Sequence, residues 1–406
     1  MTKGALSDLK VIEWGEFISA PYCAKLLADL GAEVIKIEAP GVGDEARRFG
    51  PFPGDVPHPE KSGLFLYCNT NKLGITLDVR KATGKKILLT LIKEADIFIE
   101  NHPPQEMEKL DLDFESLKKI NPKLIMTSLT PFGQTGPHRN YKATDLVSFH
   151  MGGYGYHITG AVDDPNSDPP LKPRGHHANF AAGITGAAAT LSAVFARKKT
   201  DRGQHVDISE QEAQVPFVFG NVANYTYEGK GNNRSRSKNP PTGIVAVLPA
   251  KDGAVSISPR ENHLWARWVE VMGNPEWAKD ERFKDRASRV KHWSDLQPLI
   301  AEWTKEHPKD EIYRTAQAKR VPVFPVNTIE AVFQAEQFTA RGFFKEIDHP
   351  VAGTLTYPTA PYQFSRTPWE VIKPAPLLGE HNEAILCQRL GYSKSDLVKL
   401  REGGII

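Results

Sequence analysis

Cationic side chains follow several predicted strands, and their types and spacing give the first indication of chemistry. Arg47 and Arg80 each come shortly after an apolar run, and Lys109 follows Asn101 and His102. Because the carboxyl ends of parallel strands meet at one edge of a sheet, these side chains are expected to converge there. Each cation alone is more typical of a solvated surface. Together they favour a phosphate-rich ligand, since Arg and Lys bind phosphate oxygens through charge-assisted hydrogen bonds.

A run of small apolar residues from Asn179 to Arg197 predicts a buried helix. Glycines and alanines dominate the run, which predicts that another backbone packs very close to it. Asn179 is expected at the N-cap, where its side-chain oxygen would accept hydrogen bonds from the first turn. By itself this pattern is more typical of a tightly packed core helix than of a catalytic element.

The spacing of the metal-binding residue types does not indicate a metal site. His176 and His177 are the only adjacent histidines, and neighbouring side chains rarely point at the same ion. Cys23, Cys68 and Cys387 are scattered, which fits a reducing cytoplasm. The net charge of +2 predicts neither a nucleic-acid partner nor a membrane surface. We expect no secretory leader and no membrane-spanning segment.

Alternating apolar and helical patterns predict the elements that position these residues. The chain of 406 residues is long enough for two domains. In its first part strands alternate with helices, which is typical of a parallel sheet with right-handed crossovers. No GxGxxG sequence follows the first strand, so a dinucleotide loop is not expected. The predicted strands are Leu9–Glu13, Glu33–Glu38, Ile75–Asp78, Ile97–Glu100 and Leu124–Leu129, and the helices between them are Ser19–Leu30, Lys81–Glu94 and Asp113–Ile120.

A change in composition marks a second domain. Residues 229–242 are polar and basic and predict an exposed linker. A hairpin and several helices follow, and Val321–Val326 is interpreted as a linker that returns to the first domain. We therefore predict an α/β protein with a large Rossmann-like domain, residues 1–224 and 326–406, and a small inserted α+β domain, residues 225–325.

Short segments along nearly the whole chain resemble the class III CoA-transferases, the CaiB/BaiF group that includes formyl-CoA transferase and carnitine CoA-transferase. No single segment would identify the family, but the combination is specific. The matching segments are Ala28–Glu38, Gly43-Asp44 with Arg47, Asn71-Lys72, Leu77-Asp78, Glu100-Asn101, Asn121-Pro122, Lys199–Gln204, Val206-Asp207 and Ala375–His381.

The resemblance implies two interlocked subunits, each with a large domain built from both chain termini. It also implies that CoA thioesters are substrates, bound at the carboxyl edge of the sheet, and that no cofactor is held permanently. Ala39 stands where many relatives carry arginine, so one phosphate contact is expected to be missing. Together with Arg47 from the strand-end pattern, the candidate CoA-binding residues are Ile18, Ser19, Ala39, Leu77, Asp78, Val79, Arg80, Asn101, His102, Lys109 and Tyr141.

In the family, an aspartate carboxylate attacks the thioester, and the enzyme then carries CoA as an aspartyl thioester. Counting from Gly183 and from Thr200 places Asn179 at that position. An amide nitrogen is not nucleophilic, so no catalytic residue is expected in this chain. Thr144 replaces the histidine of the racemase branch, and Lys238–Gly243 lacks the glycine run of the formyl-CoA transferase branch.

Three hypotheses follow. In the favoured one, the chain is the non-catalytic subunit of a hetero-oligomer whose paralogous partner keeps the aspartate. The expected donor is succinyl-CoA and the expected acceptor is benzylsuccinate. Aromatic residues near the predicted pocket would suit such an acid. In the second, a homodimeric transferase has had its aspartate replaced by Asn179. In the third, the chain binds acyl-CoA without transferase activity, or uses Glu16, His176 or His177 for another chemistry. The aromatic residues near the predicted pocket that would suit benzylsuccinate are Phe17, Tyr154, Tyr156 and Phe180.

Overall fold

The computed structural model describes residues 4–158, 162, 164–231 and 244–406. The predicted linker from residue 232 onward and the segment Lys238–Gly243 lie outside the described residues. The strands are β1 Lys10–Trp14, β2 Glu33–Glu38, β3 Lys72–Thr76, β4 Ile97–Glu100, β5 Ile125–Thr130, β6 Gln204–Ser209, β7 Ala246–Ala250, β8 Gly253–Ile257, β9 Val323–Pro325, β10 Phe344–His349 and β11 Gly353–Pro358.

Helices connect most of these strands. The α-helices are α1 Ser19–Ala28, α2 Gly63–Cys68, α3 Ala82–Glu94, α4 Pro104–Lys109, α5 Phe114–Leu117, α6 Asp145–Met151, α7 Tyr154–His157, α8 His177–Thr200, α9 Phe219–Glu228, α10 Asn262–Val271, α11 Arg286–Lys291, α12 Trp293–Glu306, α13 Lys309–Ala318, α14 Ile329–Gln334, α15 Glu336–Ala340 and α16 Lys394–Glu402. Short 3₁₀ segments include Glu45–Arg48 and Glu212–Val218, and Ala384–Arg389 is a π-helix.

The chain divides into two compact units. The first comprises Met1–Thr159, Pro170–Asn232 and Gly342–Ile406, and the second comprises Gly160–Pro169 and Asn233–Arg341. The chain thus returns to the first unit at residue 342 rather than 326. The reason is that β9 pairs with β8 in an antiparallel sheet. The segment interpreted as a return linker is therefore part of the second unit's sheet.

A parallel sheet organises the first unit. Among the described residues it has six strands in the order β3-β2-β1-β4-β5-β6, and every neighbouring pair is parallel. Most strand residues are buried on both faces, as expected of a parallel sheet, whereas the edge strand β6 is partly exposed. One face packs on α3 and on the C-terminal segment around Leu386 and Leu400, while the other packs on α1 and α8. The predicted α/β class and Rossmann-like sheet are confirmed.

The small residues of α8 allow it to lie against α1. A Cβ at Gly183 would come within 3.0 Å of the Ser19 carbonyl oxygen, and one at Gly186 within 2.9 Å of Leu129 Cδ2. The predicted close approach of another backbone is confirmed. Contrary to the expectation that no segment would qualify, α8 is long and apolar enough to cross a membrane. More than half of its apolar stretch is buried in the protein, as expected for a core helix.

The second unit has its own core. Its hairpin β7-β8 is antiparallel, as predicted, and β9 extends it. Helices α10, α12 and α13 pack their apolar faces on this small sheet, with Trp268, Leu296 and Ile300 fully buried.

Candidate active site

A cavity of about 690 Å³ lies in the first unit, beyond the carboxyl ends of β1, β4, β5 and β6. This is the edge at which parallel α/β sheets bind their ligands. Five of the residues predicted to contact CoA line the cavity, namely Ile18, Ser19, Arg80, Asn101 and His102. Other lining residues include Glu16, Asp145, Lys172, His176, Asn179 and Glu210.

The turn between β1 and α1 forms one wall of the cavity, and two neighbouring loops hold it. The Asn101 side chain accepts from the backbone N–H of Glu16 (2.9 Å) and donates to the Glu16 carbonyl (2.8 Å). Asp44 accepts from the N–H of Phe17 (2.8 Å), which holds Phe17 at a φ of 66°. This left-handed conformation is uncommon for a bulky residue. The Asp44 carboxylate in turn pairs with buried Lys36 (2.7 Å).

His102 is a buried, neutral imidazole at the cavity wall. Its ring lies against that of Trp14, tilted by 37° with centroids 3.9 Å apart, and its backbone N–H donates to Glu100 (2.7 Å). Burial, together with nearby Arg80, lowers the pKa of His102 to about 3. Its Nε2 has no hydrogen-bond partner among the described residues. The nitrogen is therefore, within the described part of the chain, an unsatisfied buried polar atom on a residue that lines the cavity.

Burial also acts on Glu100, the last residue of β4. Complete burial raises its pKa to about 7, although the Ser128 hydroxyl and the His102 backbone oppose the shift. Its Oε1 has no partner among the described residues. The carboxyl group therefore titrates near neutral pH beneath the loop that carries Asn101 and His102.

The three predicted cations do not converge. Arg80 lines the cavity and pairs with Glu106 (2.6 Å). Arg47 is 1% exposed and makes a bidentate contact to Glu38 (2.6 and 2.9 Å) and a further one to Glu60 (2.6 Å). Because internal carboxylates satisfy its charge, Arg47 is not free to bind a phosphate.

The remaining predicted residues lie away from the cavity lining. Leu77 and Val79 point into the hydrophobic core of the first unit. Tyr141 is 62% exposed, and its ring stacks on His138. Ala39, Asp78 and Lys109 are also not among the residues that line the cavity.

The aromatic residues predicted near the pocket also divide between the cavity lining and positions away from it. Phe17 lines the cavity, together with Phe49. Phe180 packs instead against Tyr22 and Tyr67. Tyr154 stacks on Phe217, and Tyr156, like Tyr154, is not among the lining residues.

The N-terminus of α8 is anchored differently from the prediction. The helix begins at His177, with His176 at the N-cap, so Asn179 lies within the first turn. Asp145 at the start of α6 accepts from the backbone N–H groups of Ala178 (2.8 Å) and Asn179 (3.1 Å). The predicted N-cap role of Asn179 is therefore wrong, because a carboxylate distant in sequence supplies the acceptor.

Asn179 lies at the cavity wall with one half of its amide engaged. Its side chain is 8% exposed, and Nδ2 donates to Oε1 of Glu210 (2.9 Å). Oδ1 is buried without a hydrogen-bond partner among the described residues. Glu210 is nearly fully buried, and this burial raises its pKa.

Sequence reasoning missed three lining residues around Asn179. Asp145 pairs with Lys172 (2.8 Å), and Glu210 contacts Asn179 from the end of β6. Asp145 and Glu210 lie 34 and 31 positions from Asn179 in the sequence, and Lys172 lies in the loop before α8. No local sequence pattern marks such contacts. Only Glu210 could have been inferred, because it follows a predicted strand whose end lies at the same edge of the sheet.

Comparison with known proteins agrees with this arrangement of a parallel sheet and a cavity at its carboxyl edge. The family model described as CoA-transferase family III matches residues 6–382. The chain belongs to CoA-transferase family III. A CaiB/BaiF family protein from Brucella suis has the same fold, with a TM-score of 0.84 and 31% identity over 96% of this chain and 100% of that one.

Several relatives are named as succinyl-CoA-dependent transferases. Succinyl-CoA–D-citramalate CoA-transferase of Chloroflexus aurantiacus is 31% identical over 99% of this chain and 98% of its own length. The beta subunit of succinyl-CoA–L-malate CoA-transferase from the same organism is 32% identical over 99% and 98%. Subunit BbsE of succinyl-CoA:(R)-benzylsuccinate CoA-transferase from Thauera aromatica is 30% identical over 95% and 94%.

Proposed function

We propose that this chain is a subunit of a class III CoA-transferase that moves CoA from an acyl-CoA, such as succinyl-CoA, to a second carboxylic acid. Family membership supports the transferase class, and the names of the relatives support succinyl-CoA as donor. A cavity of about 690 Å³ is of the size that small-molecule sites have. CoA thioesters are substrates in this proposal, and no permanently bound cofactor is involved.

The observation that carries the proposal is the amide of Asn179 at the cavity wall. The family reaction needs a carboxylate that can be acylated and then form a thioester. Asn179 offers neither nucleophilic nitrogen nor a carboxylate oxygen. We therefore propose that a paralogous partner subunit carries the catalytic aspartate. This is consistent with relatives that are themselves named as subunits.

The first unit is the proposed CoA-binding domain, with Arg80 as the guanidinium for a phosphate and the neutral ring of His102 as a hydrogen-bonding group. Benzylsuccinate is the proposed acceptor. Its support is the name of one relative and the two aromatic rings, Phe17 and Phe49, that line the cavity. We place the enzyme in the cytoplasm, because the buried, unpaired thiols of Cys23 and Cys68 suit a reducing compartment.

Assembly with the partner is proposed to follow the interlocked arrangement of the family. Large apolar side chains on α8 and α9 are exposed in the isolated chain, more than solvent-facing helices of a monomer normally show. They would be covered by a second subunit. They are Ile184, Phe195, Phe219, Tyr225 and Tyr227.

Reconstitution tests the proposal. A tagged chain is purified from its native host, the co-purifying paralogue is identified, and each protein is assayed alone and together with succinyl-CoA and benzylsuccinate. We expect CoA transfer only from the pair, and loss of transfer when the partner's aspartate is replaced by alanine. Turnover by this chain alone would contradict the non-catalytic role. Transfer to malate, citramalate or glutarate, but not to benzylsuccinate, would contradict the acceptor.

A further inference from the structure

Asn179 has one partner that the proposed reaction does not use. Its Nδ2 donates to Oε1 of Glu210 at 2.9 Å, and both residues line the cavity. Glu210 follows the last residue of β6, and its side chain is 4% exposed. A buried carboxylate therefore lies within hydrogen-bond distance of the side chain at position 179.

We propose that Glu210 is a second determinant of the inactivity of this site, acting as a positioning residue beside position 179. The inference rests on the proposed function, in which position 179 is the nucleophile position of the relatives. Asparagine can donate to the Glu210 carboxylate, whereas an aspartate of the same shape would bring two carboxylates to hydrogen-bond distance. Restoring the aspartate alone would therefore not restore a free nucleophile.

The electrostatic reason is that two carboxylates at this separation do not both ionise readily and share one proton. A proton held between them engages the oxygen that must attack the thioester. The other ionisable groups that line this cavity are Glu16, Glu45, Arg80, His102, Glu106, Asp145, Lys172 and His176. Asp145 and Lys172 pair with each other at 2.8 Å, and burial lowers the pKa of His176. Arg80 and Lys172 are thus outnumbered by the carboxylates of the lining, so no excess of positive charge keeps two neighbouring carboxylates ionised.

The contacts of Glu210 favour this role over a role as the nucleophile itself. Oε1 accepts from Asn179, and Oε2 accepts from the Ser148 hydroxyl at 3.2 Å. The Ser19 hydroxyl is a further donor to the carboxylate. The atom without a partner among the described residues is Oδ1 of Asn179. Position 179, rather than position 210, thus has the buried side-chain oxygen that no hydrogen bond from a described residue engages.

The test exchanges the two side-chain chemistries in the full-length chain. Asn179→Asp alone places a carboxylate next to Glu210. Asn179→Asp combined with Glu210→Gln moves the single carboxylate to position 179, and the new amide at position 210 can donate to it. The double variant keeps the charge and the hydrogen bond of the wild-type pair with donor and acceptor exchanged, so it is the matched control for folding. Glu210→Gln alone has no carboxylate at either position and is the negative control.

Each variant is mixed with succinyl-CoA and then with hydroxylamine. A carboxylate oxygen at position 179 attacks the thioester carbonyl carbon, the C–S bond breaks, and CoA leaves as the thiolate, which gives a mixed anhydride. The thiolate attacks the aspartyl carbonyl and expels succinate, which gives an aspartyl-CoA thioester. Hydroxylamine displaces CoA from it and leaves a hydroxamate that peptide mass spectrometry locates.

At about pH 6.5 we expect the double variant to form the adduct at least about tenfold faster than Asn179→Asp. The difference should shrink toward about pH 9, where the single variant loses the shared proton. A merely structural role of Glu210 would not produce this pH profile. Equal rates for the two variants at both pH values, or no adduct on the double variant, would overturn the inference.

The outcomes separate this inference from the proposed function. If Asn179→Asp matches the double variant while the wild-type chain stays unmodified, Glu210 has no such role and the proposed function stands. If the wild-type chain forms an adduct on Glu210, both the positioning role and the non-catalytic role are wrong.

Discussion

Asp44 links a buried ion network to the turn that lines the cavity, so replacing it by alanine tests how the site is held. Its carboxylate accepts from the backbone N–H groups of Phe17 (2.8 Å) and Ala46 (2.7 Å) and pairs with Lys36 (2.7 Å). The side chains of Asp44 and Lys36 are both fully buried. Asp44→Ala removes all three contacts at once.

The expected loss of stability follows from the partners that Lys36 keeps when the Asp44 carboxylate is removed. Glu13 contacts Lys36 (2.8 Å) and also Lys72 (2.7 Å), so two buried ammonium groups would share one carboxylate. Burial opposes the charge of Lys36, but Asp44 and Glu13 outweigh it and raise the pKa of Lys36. Removing one partner of a buried ion pair costs about 3–5 kcal/mol. We expect the free energy of unfolding of the first unit to fall by about 4 kcal/mol.

Two assays measure the effect of Asp44→Ala. Urea unfolding, together with hydrogen exchange of the β1 and β2 amides, gives the loss of stability. Calorimetric titration with CoA gives the second readout, where we expect binding to weaken about tenfold, since Phe17 loses the contact that holds its left-handed turn. Glu45→Ala, which removes an exposed carboxylate one position away, is the stability control and should stay within about 0.5 kcal/mol of wild type.

A stability loss below about 1 kcal/mol for Asp44→Ala would refute the reasoning about the buried ion network, because so small a loss is typical of ordinary substitutions. A large loss of stability with unchanged CoA affinity would refute only the link between the network and the site.

Three further predictions concern the helix packing, the pH dependence and the ligand. Gly186→Val should destabilise the first unit by about 1–3 kcal/mol in urea unfolding, because its Cβ would meet Leu129. The pKa of Glu100 rises from 4.5 to about 7 on folding, so the native state holds its proton longer and stability falls as pH rises through this window. Glu100→Gln should remove about 3 kcal/mol of that fall between about pH 5 and pH 8, and an unchanged pH dependence would contradict the shift. Arg80→Ala should weaken CoA binding about tenfold, whereas Lys109→Ala should leave it unchanged in the same calorimetric titration. Weaker binding by Lys109→Ala with unchanged binding by Arg80→Ala would contradict the placement of the CoA site.

The parallel sheet could be predicted because its strands are short apolar runs separated by helical patterns. The predicted strands Glu33–Glu38 and Ile97–Glu100 have the bounds that the structure shows. The third strand was placed too late, at Ile75 instead of Lys72. Lys72 interrupts the apolar pattern, yet it is fully buried because Glu13 neutralises it. A buried charge whose partner is distant in sequence is not visible as part of a strand.

The candidate site could be predicted only in part. Strand ends pointed to Asn101 and His102, which line the cavity, since local sequence determines where a strand stops. Arg47 looks like a free cation in the sequence, but Glu38 at the end of β2 and Glu60 from another loop bind it. The partners of Asn179 are hidden for the same reason, because the fold alone brings Asp145 and Glu210 to it.

The location of the acyl-enzyme adduct tests the central claim most directly. The reconstituted pair is incubated with succinyl-CoA, trapped with hydroxylamine, digested and analysed by peptide mass spectrometry. We predict a hydroxamate on an aspartate of the partner subunit and none on this chain, including the peptide that contains Asn179. A hydroxamate on any residue of this chain, formed at the rate of turnover, would contradict the claim that it is the non-catalytic subunit.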